Sequence, residues 1–480
     1  MSILVIDLGT SAVRAAVVHD DATVTHEFRA TTLPDSPAPG LVEFDAAAYA
    51  AAAMECASAA LAAHGPVDAV GVTNQRATTI VWDRVTGEPL APAQGWQDLR
   101  TVGDCLVLGA EGIRLAPNQS ATKLANILDQ VDPDRSRDVC FGSPDSWIIW
   151  QLTGGAHHVS DLTNAGTWGL LRPDASHYDV AVMERLRIPA SILPRIVDSS
   201  GVVGEATALD GAPPVCGIAG DQQASLIGQG GVRPGAAKIT FGTGGMLDVC
   251  LGPDRPTFAT RGGAGTFPIA CWRRGEETVW GVEAIMLSAG TNVEWLVEDL
   301  GILDRPEDSA ELAASVADTG GVVYVPALLG LGTPRWDYGA RGALLGLTRG
   351  SGRAHVTRAV LEGVAERGAD LVEAAEADTG CTLDALRIDG GMSTNPVFVQ
   401  MLADATQRPV EVSPVTEATA LGAGFLAGLA VGTWSDWDDV AAAWQPAREH
   451  EPGAPTDRDR WRDAVERAAG WHQDLSGVDF

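Results

Sequence analysis

The sequence predicts an α/β protein of two domains, and three observations carry that expectation. Short apolar strands alternate with alanine-rich helical stretches, no low-complexity linker intervenes, and 480 residues at 45% hydrophobic content exceed what one core usually serves. A strand, turn, strand pattern that opens the chain starts again near residue 230. The expected domains are therefore 1–230 and 231–480, and the cleft between them is the expected place for chemistry.

Taken in order, "ILVI" before Asp7 and "AAVV" after Arg14 read as two strands joined by the Gly-centred turn of "DLGTS", Asp7 to Ser11. "AAAYAAAAMECASAALAAHG" reads as a helix ending at Gly65, and "DAVGVTNQ" as a strand leaving into a polar loop. "GIAGDQQASLIGQG" places Asp221 and Gln222 between an apolar strand and a helix. "GVRPGAAKITFGTGGMLDVCL" gives a strand, a turn at Gly242, Thr243 and Gly244, and another strand. "LRIDGGMSTNPVFVQMLADAT" gives a strand into Asp389-Gly390-Gly391, then a helix with Asn395 in its first turn. Trp147 and Trp150, with Ile148 and Ile149, read as core. His157-His158 reads as a solvated loop rather than a metal site, since adjacent side chains point apart and no partner cluster is evident.

Composition excludes several classes. With 33 basic against 63 acidic residues the formal charge is −30, which repels phosphate backbones and anionic lipid surfaces, so nucleic acid and membranes are not expected partners. Lysine occurs only at Lys123 and Lys238; an arginine-dominated balance fits either a GC-rich genome or adaptation to salt. The 7 cysteines stand far apart without a CxxC pair and read as reduced core residues. No basic n-region with a following apolar h-region opens the chain, and no apolar run approaches the roughly 20 residues that span a bilayer. The expectation is a cytoplasmic protein.

The three glycine and hydroxyl turns each end an apolar strand, and together they read as phosphate cradles. Glycine lets backbone N–H groups converge on one point, and Thr and Ser hydroxyls add donors. No GxxxxGK(S/T) sequence exists, so this is not the P-loop route. An acid beside such a cradle makes sense if Mg²⁺ sits between carboxylate and phosphates. Asp221, at a helix start just ahead of the domain junction, suits a general base or metal partner better than a simple N-cap.

These segments resemble the FGGY carbohydrate kinases, within the larger group of actin-like and hexokinase-like ATPases, and among them the glycerol kinases most. "GVTNQRATTIVWDRVTGEPLAPAQGWQDLRT" is similar to the polyol-binding segment, "FGSPDSWIIWQLTGG" to a scaffold segment of the first domain and "GIAGDQQASLIGQ" to the catalytic-base segment. "FGTGG" is similar to the phosphate loop, "ARGALLGLTRGSGRAHVTRAVLEG" to the second family signature, and "RIDGGMSTNPVFVQMLAD" with "TEATALGAGFLAGLAVG" to the adenosine-side elements. The resemblance implies two actin-like, ribonuclease H-like domains closing on ATP and a polyol. It implies Asp221 as the base, and Asp7, with Asp221, holding Mg²⁺ through water. Thr10, Ser11 and Arg14 would face the β- and γ-phosphates, with Gly242 and Thr243 closing from the other domain, and Gly290, Gly391 and Asn395 would line the ribose and adenine. It leaves a homo-oligomer, dimer or tetramer, open.

Within that pattern Arg76, Trp96, Asp221 and Gln222 are retained on the polyol side. Ala77 stands where glycerol kinases carry the Glu of an Arg-Glu pair, Asn118 where they have a tyrosine, Met246 where an aromatic packs on the polyol carbons, and Glu294 where glutamine is common beside the nucleotide. Asn126 also departs from the first signature. Losing a carboxylate at Ala77 removes acceptors for substrate hydroxyls, so a tetritol, pentitol or ketopentose is expected to compete with glycerol. A different class, an actin- or chaperone-like ATPase without a small-molecule acceptor, fits the nucleotide core but leaves the retained "NQR" segment and Trp96 without a purpose.

Overall fold

The structure is a computed structural model, and it describes residues 1–415 and 418–480. Thr416 and Glu417, the first two residues of "TEATALGAGFLAGLAVG", lie outside the described residues.

The opening apolar run forms the strand Ser2–Leu8, and its alternation decides where the first domain keeps its chemistry. Leu4, Ile6 and Leu8 pack with the helix Ala46–His64, whereas Ile3 and Val5 pack with the helix Ala418–Val431 from the other half of the chain. Because side chains alternate in a strand, Asp7 shares the second face. Six strands form this sheet in the order Ser200–Glu205, Pro214–Gly220, Ala69–Asn74, Ser2–Leu8, Ala12–His19 and Val24–Thr31. Ser2–Leu8, Ala69–Asn74 and Pro214–Gly220 run parallel to one another, so the chain leaves Leu8, Asn74 and Gly220 at one edge.

The second sheet repeats the plan. Its seven strands run in the order Phe267–Arg274, Glu277–Met286, Gly245–Gly252, Ala237–Phe241, Leu386–Asp389, Val410–Val412 and Arg448–His450. Ile239, Phe241, Leu247, Val282 and Ala284 face a core that includes buried residues of the 27-residue helix Arg353–Thr379. Lys238, Asp248 and Glu283 alternate to the opposite face, toward the first sheet.

Two short elements fill the space between the sheets. The helix Asp221–Gly228 crosses Ala418–Val431 at glycines: a Cβ on Gly422 would overlap the carbonyl of Ala224, and one on Gly228 would overlap that of Ala418. The same close approach recurs at Gly71, where a Cβ would lie 2.5 Å from the carbonyl oxygen of Ala423.

Several expectations need correcting. The helix Ala46–His64 is 19 residues long with mean hydropathy 1.3, long and apolar enough to span a bilayer by those measures. Its apolarity comes mostly from alanine; it is N-capped by Asp45 and packs Tyr49, Ala53, Ala57 and Ala60 into the first core. Asn395 precedes the helix Pro396–Thr406 as its N-cap rather than lying in its first turn, accepting hydrogen bonds from Val397 and Phe398. His158 is not a solvated loop residue: it is half-buried, its Nε2 lies 2.8 Å from the Phe141 carbonyl, and its ring packs edge-on against Trp82 and Trp150. The indoles Trp147 and Trp150 are core, as are six of the seven free cysteines.

Candidate active site

Turns at matching strand ends create the site. Gly9, Thr10 and Ser11 join Ser2–Leu8 to Ala12–His19, and Gly242, Thr243 and Gly244 join Ala237–Phe241 to Gly245–Gly252. Leu386–Asp389 runs parallel to Ala237–Phe241, so Gly390 and Gly391 emerge beside the second turn. Gly390 has φ +84°, and a Cβ there would lie 2.5 Å from the Phe241 carbonyl oxygen, so the chain there accepts no side chain. Gly290, whose N–H donates to the Gly242 carbonyl at 2.8 Å, precedes the helix Thr291–Glu298. Around Gly391 nothing lies within 4 Å of where a Cβ would point. The result is an open, backbone-lined shelf of the kind phosphates and a ribose need. Glu294 is exposed on the first turn of Thr291–Glu298, and Asn395 gives its side-chain N–H to Ser309 at 3.2 Å.

On the first-domain side the two sequence-selected hydroxyls part company. Ser11 is exposed, but the Thr10 hydroxyl donates to Gln75 at 2.9 Å and accepts from the Trp96 indole at 3.1 Å. Thr10 thereby fixes the Trp96 ring and has less to offer a phosphate. Gln75 in turn donates to the Tyr49 hydroxyl at 3.1 Å, and Tyr49 donates to the Gly9 carbonyl at 2.8 Å. Sequence reasoning missed Tyr49, because within an alanine-rich helix it reads as core.

Asp7 is 6% exposed and lies 3.4 Å from the Arg14 guanidinium; burial pushes its carboxyl up to about 6, with Arg14 opposing and Asp221 adding to the rise. Asp221 is the first residue of its helix, after Gly220, and its own carboxylate accepts from the Gln222 N–H at 2.8 Å. It therefore does not act as the N-cap. Burial raises its carboxyl above the ordinary range, while Arg76, with Nε 3.5 Å away, pulls it down. Two carboxylates raised by burial, with Asp221 adding to the rise at Asp7, fit a divalent cation, which would relieve both.

Arg76 reaches across the cleft to Glu283, 2.5 Å away, on the second sheet. Gln222 accepts from the Lys238 ammonium at 2.6 Å, and Lys238 is paired with Asp248 at 2.8 Å with both side chains fully buried. Glu283, Lys238 and Asp248 went unselected in the sequence. The available signal was lysine scarcity, since both lysines of the chain prove to be fully buried.

The remaining substrate-side positions are Ala77, Asn118 and Met246, and Asn118 touches the other lysine, Lys123. Ala77 is 5% exposed with φ +60°, and its carbonyl accepts from Ser120 at 3.0 Å. Lys123 donates to the carbonyls of Gly95 and Asn118, at 3.1 and 3.0 Å, tying the chain beside Trp96 to the exposed Asn118. Met246 is half-exposed, between Thr240 and Ile285 in the sheet.

Comparison with known proteins agrees with this architecture. The N-terminal domain profile of the FGGY family of carbohydrate kinases matches residues 2–228, and the C-terminal domain profile matches residues 237–431. A glycerol kinase of Aromatoleum aromaticum is 42% identical across 98% of this chain and 99% of its own length. One from Trichlorobacter lovleyi is 43% identical across 98% and 99%. Among solved structures, Plasmodium falciparum glycerol kinase with ADP superposes with a TM-score of 0.89 at 28% identity, covering 97% of this chain and 98% of that one. A xylulose kinase from Rhodospirillum rubrum shares the fold, with a TM-score of 0.85 at 24% identity over 99% and 100% of the two chains.

Proposed function

The chain belongs to the FGGY family of carbohydrate kinases, and from that premise we propose that it phosphorylates a primary hydroxyl of a small polyol of the glycerol class, with Asp221 as general base. The observation that carries the reading is Asp221 itself: a raised carboxyl at the start of a cleft helix, beside Arg76 and within electrostatic reach of Asp7 on the first sheet and Lys238 on the second. We place the division between polyol-binding and ATP-binding domains at residues 230 and 231.

In this mechanism Arg76, Trp96 and the Gln222 amide hold the polyol. Lys238 occupies the Gln222 carbonyl oxygen, so Gln222 presents its N–H₂ to the substrate as a donor. Asp221 takes the proton from the primary hydroxyl as that oxygen forms its bond to the γ-phosphorus of ATP and the bond to the ADP oxygen breaks. The protonated carboxyl then returns its proton to water. Gly242, Thr243, Ser11 and Arg14 surround the phosphates, and Gly290, Glu294, Gly391 and Asn395 line the nucleoside. Asp7 and Asp221 would hold Mg²⁺, through water; the ion, when bound, offsets charge on the transferring phosphoryl group. Most of the catalysis is positioning and electrostatics.

A second reading, a longer polyol or ketopentose, rests on Ala77, whose methyl leaves no acceptor where a carboxylate would bond substrate hydroxyls. A charge-assisted hydrogen bond is worth roughly 1.5–3 kcal/mol, about ten- to a hundredfold in affinity. A coupled ADP-release assay over triols, tetritols, pentitols and ketopentoses separates the two: glycerol as best substrate supports the first reading, and a longer substrate with higher kcat/KM supports the second. Ala77→Glu should then shift preference toward glycerol. Asp221→Asn should lower kcat roughly 10²- to 10⁴-fold with the fold intact. Turnover above a tenth of the unmodified enzyme's would remove Asp221 from the role.

A further inference from the structure

Two residues assigned to the substrate side, Asp221 and Gln222, are each tied through a cation to a carboxylate on the second sheet. Arg76 joins Asp221, at 3.5 Å, to Glu283, at 2.5 Å. Lys238 joins Gln222, at 2.6 Å, to Asp248, at 2.8 Å. The arrangement follows from strand register: Lys238 stands opposite Asp248, and Asp248 opposite Glu283, so all three project from one face. Lys238 and Asp248 are fully buried, and Glu283 is 6% exposed. Burial pushes the Glu283 carboxyl up, and Arg76 opposes that rise.

A buried ion pair is weak as a source of stability, because desolvation offsets its attraction. Its geometric effect is strong. Arginine is a long side chain with a rigid planar fork, and a carboxylate gripping one edge of that fork fixes where the remaining N–H groups point. Arg76 emerges from the first domain, just after the strand Ala69–Asn74, while Glu283 sits in a strand interior of the second. Without Glu283, the nearest carboxylate to the guanidinium would be Asp221.

We propose that Glu283 is a positioning residue for polyol capture, acting across the cleft through Arg76. It fixes the guanidinium in one orientation between Glu283 and Asp221 and aims its free N–H groups at the substrate oxygens, so the polyol pocket is complete only when the second sheet is in place. The proposal rests on the reading of Arg76 as a polyol ligand.

The test is steady-state kinetics of the full chain with Mg-ATP and the best polyol of the panel, measuring KM for each substrate separately in Glu283→Gln, Glu283→Asp, Arg76→Gln and the double variant. Glu283→Gln should raise the polyol KM at least tenfold and leave the ATP KM within twofold, since the interaction lost is one made to the bound polyol. Glu283→Asp should fall between Gln and the native residue. In the Arg76→Gln background, Glu283→Gln should change the polyol KM less than twofold, because a residue that acts through Arg76 has nothing left to act on. An unchanged polyol KM, equal shifts in both KM values, or full additivity in the double variant overturns the proposal. If Glu283→Gln does not fold, Glu283→Asp carries the same comparison. An Arg76→Gln variant with native polyol KM would instead sink the underlying assignment of Arg76.

Discussion

His158 shows how one residue's surroundings set its chemistry. Its ring nitrogen Nε2 meets the Phe141 carbonyl, which requires a proton on that nitrogen, and Trp82 and Trp150 cover the ring. Burial holds its pKa down to about 4. In the unfolded chain an imidazole titrates near 6.5, so between these values the unfolded state binds a proton that the fold refuses. His158 therefore costs nothing above about pH 6.5, and it destabilises the fold progressively as pH falls toward 4, by on the order of 2–3 kcal/mol. Asp145 works the other way: burial raises it to about 6, so it favours the fold as pH falls through the same window. Bulk stability would blur the two. The His158 C2–H resonance should stay flat from pH 8 to 5 and move only near 4, and the stability gap between the native protein and His158→Gln should shrink as pH falls from about 6.5 to 4. A midpoint near 6.5 would contradict the burial argument.

At the scale of elements, glycine has opposite consequences in two helices. Gly422 sits where Ala418–Val431 crosses Asp221–Gly228, and a methyl there would overlap the Ala224 carbonyl, which is backbone and cannot step aside. Gly422→Ala should cost about 2–4 kcal/mol and displace the helix that starts at Asp221, lowering both Tm and turnover. Gly103, exposed in the helix Val102–Ala110, has nothing within 4 Å of its would-be Cβ. Gly103→Ala should raise stability by roughly 0.5–1 kcal/mol, because alanine loses less backbone freedom. Thermal unfolding of the two variants checks both signs; equal effects would mean that the crossing is not close-packed.

For the whole molecule, the cleft is a meeting of two sheet faces joined by a shared middle layer. In the proposed mechanism the Asp7 side and the Thr243 side contact one phosphate chain, so polyol and a non-hydrolysable ATP analogue together should bring the halves closer by a hinge motion. Asp479 opposes free movement only weakly: it pairs with Arg114 from the first half and Arg261 from the second. Asp479 and Arg114 are about half exposed, and such pairs are typically worth about 0–1 kcal/mol. Small-angle scattering should show a smaller radius of gyration in the doubly bound state than in the free one, and identical curves would count against closure.

What the sequence by itself determined is local: a continuous apolar run placed Asp7 at the end of a buried strand, Gly and Thr marked the turns, and the strand-to-helix break located Asp221. Each depends on residues within a few positions of one another, so backbone geometry and turn chemistry suffice to read it. What only the tertiary structure decided is which charges meet. Arg76 and Glu283 are separated by 207 positions, and Glu283 reads as an isolated acid within the apolar strand Glu277–Met286. Their contact depends on the register of four strands and on two helices crossing at glycine, and so does the burial of Lys238 against Asp248. Thr10 was likewise legible as a hydroxyl in a turn, but its partners Gln75 and Trp96 come from 65 and 86 positions away, and they decide that its oxygen steadies an indole. Burial and partner identity are set by chain segments brought together through packing, and no local pattern encodes them.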